Sequence, residues 1–537
     1  MSEELKSKNT NIGLWILQGA LLIGIAGDFL LRTTPWGLNA FLWVLLVSVA
    51  LVALTFNRRR EFLNKETIML HGALLFFAAT FLYRASEPLL LLNVAAIFAI
   101  WAALTFPALK IKPKLSGVSH YFLGFIWSGI NLLVSPILLV FNDVRWKASS
   151  ESGWTRTVFP IVRGLLIASP LLIVFGGLFM AADAAFEGLI KRTLNIDTGE
   201  VFGHLLLIGF LSWIVAGYLR ASLIGNLIPE QFVAAKAENA APPEPKRDWR
   251  EFNSGWLPDA LTLGTIEIGI IWGLMNLLFL SFVIVQLPYL FGGFEYVQTT
   301  ENVKLAEYAR RGVAELGLVT ALVLPVLLIG HWFIRPENQK TEKIFRVLAG
   351  VQIGLVFVIM LSSIQRMMLY TGSSGYGFTL ERFYATAFLG VLAAIFVWFA
   401  ITILSGFRQK FAWGMLWVVL SGVGFLNVIN PSDYIVRANF RLMEQGRQFD
   451  VWYNFHDADE DATPAIVEIL PKLSDHQRCQ AENELSYSSH RRKDRVQSRN
   501  WNYSRMKAEI ALENYKAGLG GADLQYKDCS GFSTEAK

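Results

Sequence analysis

Charged residues are scarce in this chain of 537 residues. Only 17% of them are Asp, Glu, Lys or Arg, whereas a soluble domain carries roughly 25%. The formal net charge is +5, and the basic residues are spread over loops and the tail, which gives no support to nucleic-acid binding. The composition therefore excludes an ordinary soluble protein and directs attention to a membrane.

Cysteine is nearly absent. The chain has two, Cys479 and Cys529, both in its polar C-terminal part. Neither belongs to a C-x-x-C pair, so the sequence has no cysteine-based metal or redox motif. Their confinement to the tail is compatible with an oxidising compartment, in which such residues form disulfides.

Motifs of the common catalytic sites are also missing. The chain contains no H-E-x-x-H, no G-x-S-x-G and no phosphate-binding loop with its Lys-Ser/Thr ending. We therefore expect no catalytic residue, no cofactor and no metal.

A basic patch lies near His490 to Arg495. It is expected to be a solvated helix face, with contact to lipid phosphate as the alternative.

One acidic stretch has part of a calcium-binding spacing. Asp457, Asp459, Asp461 and Glu468 occupy positions 1, 3, 5 and 12 of an EF-hand loop. Ala462 stands where that loop requires glycine, and a helix begins directly afterwards. An acidic helix N-terminus, which suits the helix dipole, is the preferred interpretation, with calcium as the alternative.

Long apolar runs dominate what is present. The chain is 53% hydrophobic with a mean hydropathy of +0.41. In hydrocarbon each backbone N–H and C=O must be paired within its own segment, so these runs must be helices. We predict an all-α fold, a polytopic transmembrane helical bundle of about twelve spans with a small C-terminal helical polar module. The predicted spans are 11–31, 37–56, 67–83, 88–108, 118–141, 157–182, 201–224, 259–286, 313–334, 345–370, 383–405 and 412–429.

Four parts follow from this pattern. Residues 1–224 form an N-terminal membrane half, residues 225–258 a flexible polar linker, residues 259–429 a C-terminal membrane half and residues 430–537 a polar helical tail. The linker is rich in Ala, Pro and charge. The first apolar run lacks a cleavage site and is predicted to be a retained helix rather than a signal peptide.

The tail contains signals for three helices. Asn430 is expected to cap the first and Pro431 to occupy its first turn. A second helix is expected after Thr463-Pro464. A third is expected over Trp501 to Ala517, ended by Gly518.

Short loops rich in Lys and Arg favour the cytoplasm, which predicts a cytoplasmic N-terminus. If 118–141 crosses the membrane once, the basic loops of the two halves cannot all lie on the cytoplasmic side. We therefore predict that 118–141, interrupted by Gly and Ser-Pro, is re-entrant or a tight double pass, which places the tail outside the cytoplasm. The alternative places the tail in the cytoplasm.

Ionisable residues within apolar runs are candidates for function, because their burial in hydrocarbon costs about 2.5–3.5 kcal/mol each. Glu267 is expected to lie deep in its span and to pair with a buried cation, for which Arg366 is the natural candidate. Anchoring near a helix end is the alternative for the residues close to a boundary. The candidate intramembrane polar site comprises Glu267, Glu315, Arg366, Arg163 and Asp183, and Asp28, His204 and Arg220 are further suspects.

A second charged element precedes Glu315. Glu307, Arg310 and Arg311 lie within two turns, with Glu307 and Arg311 spaced i, i+4. This spacing predicts a charged interfacial helix in preference to a ligand site.

Five stretches resemble a known family. They read RGLLIASPLLIVFGGLFMAADAAF at 163–186, LAEYARRGVAELGLV at 305–319, IQRMMLYTGSSGYGFTLERFYA at 364–385, NPSDYIVRANF at 430–440 and NWNYSRMKA at 500–508. The chain thereby resembles bacterial multi-pass membrane proteins classed under the domains of unknown function four-one-five-three and four-one-seven-three. It departs from their pattern at Gly372 to Gly375, where the family has a shorter loop. The resemblance implies the architecture and no particular chemistry.

Three functional hypotheses follow. The first is a non-enzymatic envelope scaffold or sensor, whose tail binds a protein partner and whose other contact is the lipid bilayer. The second is a transporter or proton-coupled permease that uses Glu267, Glu315 and Arg366 in a mid-membrane polar site. The third is a membrane enzyme that acts on lipid-linked substrates. Because common catalytic motifs are missing, the sequence favours a protein that is not an enzyme but does not exclude an enzyme.

Overall fold

The fold is all-α, as the apolar pattern predicts. The computed structural model places no named strand in the residues that it describes. It describes residues 3–109, 112–144, 179, 182–183, 198–224, 263–291, 305–334, 339–373, 377–446, 451, 455–456, 459–493, 498–520, 524 and 526–529.

Eleven helices in these ranges are long and apolar enough to cross a membrane. They correspond one to one with eleven of the twelve predicted spans, and the remaining span, 157–182, lies almost wholly outside the described residues. Their bounds are Glu3–Leu31 (α1), Leu38–Arg58 (α2), Lys65–Tyr83 (α3), Glu87–Leu104 (α4), Val118–Leu138 (α5), Thr198–Leu223 (α6), Thr265–Phe291 (α7), Leu305–Trp332 (α8), Gln339–Ser373 (α9), Leu380–Phe399 (α10) and Phe411–Ile429 (α11).

The chain divides into two compact units. The first comprises Met1–Ala79, Ile97–Pro113 and His120–Glu244, and the second comprises Thr80–Ala96, Lys114–Ser119 and Pro245–Lys537. The predicted linker 225–258 lies outside the described residues, so the fourfold division made from the sequence stays a prediction.

In the first unit, α1 packs along α6. Small residues allow the close approach, because a Cβ atom at Gly24 would lie 2.9 Å from the carbonyl oxygen of Ile208. The helices run antiparallel, since Asp28 near the end of α1 meets His204 near the start of α6.

Helix α5 corrects one prediction. Val118–Leu138 continues through a π-helical turn, Leu139–Asp143, to give one helical span of 26 residues with Pro136 inside it. A continuous helix of this length extends about 39 Å. It leaves no place for a reversal, so the predicted re-entrant or double pass is wrong.

In the membrane part of the second unit, α7 and α9 run parallel with α8 connecting them. The hydroxyls of Thr265 and Thr341 lie 2.7 Å apart at one end, and Asn276 donates to the carbonyl of Leu348 further along. Aromatic rings fill the core, as in the edge-to-face pair of Trp272 and Phe345.

The described part of the tail contains four named α-helices, which share an apolar core. They are Pro431–Glu444 (α12), Thr463–Ile469 (α13), Asp475–Lys493 (α14) and Tyr503–Gly518 (α15). The sequence missed α14, whose surface is mostly polar. Pro431 begins α12 as predicted, but the Asn430 side chain does not cap the helix and donates instead to the carbonyl of Asp461.

A disulfide joins Cys479 on α14 to Cys529 near the C-terminus. It closes a separation of 50 residues across the tail. Cross-links of this length restrict the unfolded chain and contribute roughly 3–5 kcal/mol. The two cysteines thus join α14 to the last described segment of the tail.

Candidate functional site

The predicted partnership of Glu267 and Arg366 is wrong. Glu267 lies in the first turn of α7 with an exposed side chain, not deep in the span. Arg366 donates to the side chain of Gln286, near the other end of the apolar part of α7. Nineteen residues of helix correspond to about 28 Å, so the two charges sit at opposite ends of the same span.

The other predicted residues do not converge on Glu267 either. Glu315 begins its span and is exposed. Asp183 is exposed, and its backbone N–H donates to the carbonyl of Phe179. Arg163 lies outside the described residues.

The charged element before Glu315 is helical. Glu307, Arg310 and Arg311 belong to the first two turns of α8. Their side chains lie outside the description, so the predicted i, i+4 pairing stays a prediction.

Two suspects in the first unit have acidic partners. His204 Nδ1 lies 2.5 Å from Asp28 Oδ2, near one end of α1. Arg220 is 2% exposed and donates to Asp143 Oδ2 at 2.5 Å and to the Ser135 hydroxyl at 3.2 Å. Because a buried charge without a partner is very costly, the second pair holds α5 and α6 in register.

The polar side chains at mid-span are amides rather than charges. Asn276 lies near the middle of α7, and its Oδ1 has no hydrogen-bond partner among the described residues. Gln352 on α9 is fully buried, and neither amide atom has a partner there. Neither residue was predicted from the sequence, because the candidates were ionisable residues and an amide side chain is uncharged.

A cluster of polar contacts lies where the tail meets the turn between α3 and α4. Asp461 is 3% exposed, and its Oδ2 accepts the backbone N–H groups of Ala85 and Ser86 at 3.0 and 2.9 Å. These N–H groups precede the first turn of α4, where helices lack internal acceptors. A tail carboxylate therefore caps a membrane helix.

The other end of the same turn is capped from α15. Asn502 donates to the carbonyls of Phe81 and Arg84 at 2.7 and 2.9 Å, and Ser504 donates to the carbonyl of Tyr83 at 2.8 Å. Phe81 and Tyr83 lie in the last turn of α3 and Arg84 directly follows it, where carbonyls lack partners within the helix. Both flanks of the turn depend on tail side chains.

Arg84 completes the junction at the end of α11. Its guanidinium donates to the carbonyl of Asn427 at 2.7 Å, with a longer contact to Val428. A cation at a helix C-terminus also suits the helix dipole. One tripeptide, 84–86, thus contacts both the tail and the last membrane helix.

Asp459 stands beside Asp461 and has an altered affinity for protons. It accepts the hydroxyl of Ser432 at 2.8 Å and the backbone N–H of Asp461 at 3.0 Å. Burial, reinforced by the neighbouring Asp461 charge, raises the pKa of Asp459 to about 6. Burial also raises the pKa of Asp461, while N–H groups of Ala85 and Ser86 and the charge of Arg84 act in the opposite direction.

Further groups face this acid pair from every adjoining element. Glu460 adds negative charge in the same loop, and burial lowers the pKa of Arg505 on α15 while Glu460 and Asp461 oppose that change. Tyr384 of α10 also lies within electrostatic reach. Burial thus raises the affinity of both junction carboxyls for a proton.

Calcium does not fit the described part of this loop. Asp459 Oδ1 and Asp461 Oδ2 accept backbone N–H groups, and Glu468 pairs with Arg437 at 2.9 Å. Asp457 lies outside the described residues, which contain no group of three or more potential metal ligands. Asp459 and Asp461 precede α13, whose first turn contains no acid, so α13 does not have the expected acidic N-terminus; Asp461 caps α4 instead.

Below the junction, two amides bridge α4 and α11. Asn93 donates to Asn427 Oδ1 at 3.0 Å, and Asn427 donates back to Asn93 Oδ1 at 2.7 Å. Asn93 is fully buried and Asn427 is 5% exposed. This reciprocal pair continues the polar contact from the tail into the membrane-spanning part.

The sequence matches the family described as Domain of unknown function (DUF4153) over residues 71–469. That range includes the 84–86 turn, α11 and both junction acids, whereas the stretch at 500–508 lies beyond it. No curated protein and no solved structure matches the chain.

Proposed function

Because the chain belongs to the family described as Domain of unknown function (DUF4153), multi-pass membrane proteins without an assigned chemistry, we propose a function from its geometry. The protein is a non-enzymatic scaffold and sensor of the bacterial cell envelope. Its tail is a helical module that is attached to the outer ends of the membrane helices and responds to protonation at that attachment.

The basic residues of the C-terminal membrane half support an extracytoplasmic tail. Arg408 and Lys410 precede α11, and one span separates them from the tail. Lys340 and Lys343 begin α9, three spans before the tail. The positive-inside rule places both groups in the cytoplasm, and an odd number of crossings then places the tail outside.

The disulfide supports the same side independently. Cys479 and Cys529 are bonded in the tail. Disulfides persist in the periplasm and outside the cell, whereas the cytosol keeps thiols reduced. The charges of the C-terminal half and the chemistry of the cysteines thus favour the same side for the tail.

The acid pair at the junction is the observation that carries the proposal. Asp461 caps α4, and Asp459 has a pKa of about 6, so its carboxyl titrates near neutral pH. A change of protonation there alters the contact between the module and the membrane helices. The junction therefore couples a chemical condition outside the cell to the position of the module.

The module also presents a surface for a protein partner. Tyr487, Trp501 and Tyr526 are 62%, 42% and 84% exposed. Aromatic side chains of this kind dominate the energetics of protein interfaces. A partner that binds them would sense whether the module is docked.

The transporter hypothesis loses its main support. Glu267 and Arg366 lie at opposite ends of α7, and Glu315 begins its own span. A transport site requires polar groups that converge near mid-membrane. These three charges do not form such a site.

The test uses the full-length protein in liposomes. Hydrogen exchange of the segment 83–90, corrected for the intrinsic pH dependence of exchange, reports docking of the module, while an enclosed pH-sensitive dye reports proton flux. We expect protection to change with pH while the protein adds no flux. Proton or solute movement that Asp461→Asn abolishes would instead establish a transporter.

A further inference from the structure

Helix α12 of the tail is attached to the ends of two membrane helices. Asn430, directly before α12, ends α11, where its backbone N–H donates to the carbonyl of Leu426. Nine residues later, the amide of Asn439 accepts the backbone N–H of Phe378 at 2.6 Å and donates to the carbonyl of Phe378 at 2.8 Å. Phe378 lies two residues before α10. Nine residues of helix extend about 14 Å, so α12 is held at two separated points.

Both attachment points lie at one surface of the membrane. Helices α10 and α11 are consecutive spans, so the start of α10 and the end of α11 lie on the same side. Gly377 permits the close contact before α10, because its φ is +61° and a Cβ there would lie 2.6 Å from Oδ1 of Asn439. The headgroup layer is roughly 5–7 Å thick on each side, and a helix is about 10 Å in diameter. Helix α12 therefore lies along the surface at the level of the phospholipid headgroups.

Different sides of α12 have different surroundings. Val436 and Phe440, 2% and 6% exposed, belong to the apolar core of the tail. Tyr434 is 44% exposed, and its ring packs against Phe383 in the first turn of α10 at a centroid distance of 5.6 Å. Tyrosine is enriched at this depth in membranes, because its ring is apolar and its hydroxyl is polar. Tyr434 thus occupies the edge of the hydrocarbon, outside the core of the tail.

Arg441 lies on the same side of α12 as Tyr434, seven residues or two turns further along. It is exposed and makes no hydrogen bond or ion pair to any described residue. Arg437, one turn earlier, pairs with Asp433 and Glu468, each at 2.9 Å. The charge of Arg437 is therefore balanced within the tail, whereas the charge of Arg441 is available to a group outside the described chain.

We propose that this side of α12 binds the headgroup of an anionic phospholipid in the leaflet next to the tail. The lipid phosphate accepts hydrogen bonds from the guanidinium of Arg441, whose planar set of donors fits phosphate. The acyl chains lie beside the ring of Tyr434. This inference depends neither on the side of the membrane that the tail occupies nor on the protonation of the junction acids.

The test uses full-length protein in which the photoactivated cross-linker p-benzoylphenylalanine replaces Tyr434. The protein is placed in nanodiscs of phosphatidylcholine with a minor fraction of phosphatidylglycerol, irradiated, and analysed for lipid adducts by mass spectrometry. We expect adducts in which phosphatidylglycerol is enriched about fivefold over its share of the nanodisc, which corresponds to the roughly 1 kcal/mol that one cation gains near anionic lipid. Arg441→Gln should remove this enrichment, and Arg441→Lys should retain most of it.

Two controls match these changes. The same cross-linker in place of Tyr487, which is 62% exposed on α14, should give no lipid adducts. Lys472→Gln also removes one positive charge, but the Lys472 ammonium lies over the ring of Phe440, a residue of the tail core, so the enrichment should persist.

Three results would overturn the proposal: no lipid adducts at position 434, equal yields of lipid adducts at positions 434 and 487, or enrichment that survives Arg441→Gln. Adducts to a second copy of the chain in place of lipid would also overturn it and would show that this side of α12 is a protein interface.

Discussion

The carboxylate of Asp461 accepts the backbone N–H groups of Ala85 and Ser86, residues more than 370 positions earlier in the chain. One side chain of the tail thereby caps a helix of the membrane domain. This contact, with the capping of α3 by Asn502, makes the turn between α3 and α4 dependent on the tail.

Replacement of the cap should loosen this turn. Asp461→Ala removes the acceptor from two N–H groups, and the loss of such a cap costs about 1–2 kcal/mol. Amide exchange at Ala85 and Ser86 should accelerate about tenfold, as measured by hydrogen exchange with mass spectrometry. Asp461→Asn keeps one oxygen acceptor and should have a smaller effect.

Asp433→Ala is the matched control, because Asp433 is another acid of the tail and pairs only across the surface with Arg437. Half-exposed pairs of this kind contribute little. Equal acceleration in Asp433→Ala and Asp461→Ala would show that the tail does not cap α4.

The attachment of the tail should weaken as pH rises. The pKa of Asp459 is about 6 in the folded protein and higher than its ordinary value of 3.8, so the folded state binds the proton more tightly than the unfolded state. This contribution to stability is complete below the ordinary value and is lost as pH rises through about 6. Corrected protection of Ala85 and Ser86 should fall across that range.

Asp459→Asn removes the titrating group but keeps an oxygen acceptor for the backbone N–H of Asp461. Its protection should vary less with pH than that of the unmodified chain, with the remaining dependence due to Asp461. Protection that increases with pH in the unmodified chain would contradict the assignment.

Periodicity and hydropathy were sufficient for the membrane helices. Each apolar run between charged loops had to become a helix, and eleven predicted spans lie within a few residues of the observed ones. The error at 118–141 arose from treating Gly and Pro as breaks. Neighbouring helices tolerate such residues, and Pro136 lies inside an unbroken helix.

The contacts between the tail and the turn 84–86 could not be predicted from the sequence, for a physical reason. Asp459 and Asp461 stood out as acids, but their partners are backbone N–H groups on a turn more than 370 residues away, which carry no sequence signal. The pairing of Asn93 with Asn427 carries no sequence signal either, because amide side chains are common and uncharged. Asp143 is different, because an acid at the end of a predicted span is visible in the sequence. It could have been proposed as the partner of Arg220.

The amide pair of Asn93 and Asn427 should stabilise the contact of α4 with α11. Asn93→Leu leaves the Asn427 amide without its partner and should lower stability by about 1–2 kcal/mol. Thermal unfolding in detergent, followed by intrinsic fluorescence, measures the change. The double variant with both residues as Leu should recover part of the loss, whereas additive losses would exclude a direct interaction.

The pair of Arg220 and Asp143 should show stronger coupling. Arg220→Met leaves a buried carboxylate unpaired and should destabilise the first unit by about 3–5 kcal/mol. Combining it with Asp143→Asn removes the unpaired charge and should restore much of the loss in the same unfolding measurement. Arg32→Met is the control, because Arg32 is exposed and lies 3.8 Å from Asp28.

The central claim, a disulfide-closed module attached outside the cytoplasmic membrane, is tested most directly by labelling Cys479 and Cys529 in intact cells with a membrane-impermeant maleimide. The chain has no other cysteine, so labelling requires no background variant. The account predicts no labelling before reduction and labelling of both residues after reduction, without permeabilisation. Labelling that occurs only in permeabilised cells and needs no reductant would contradict it.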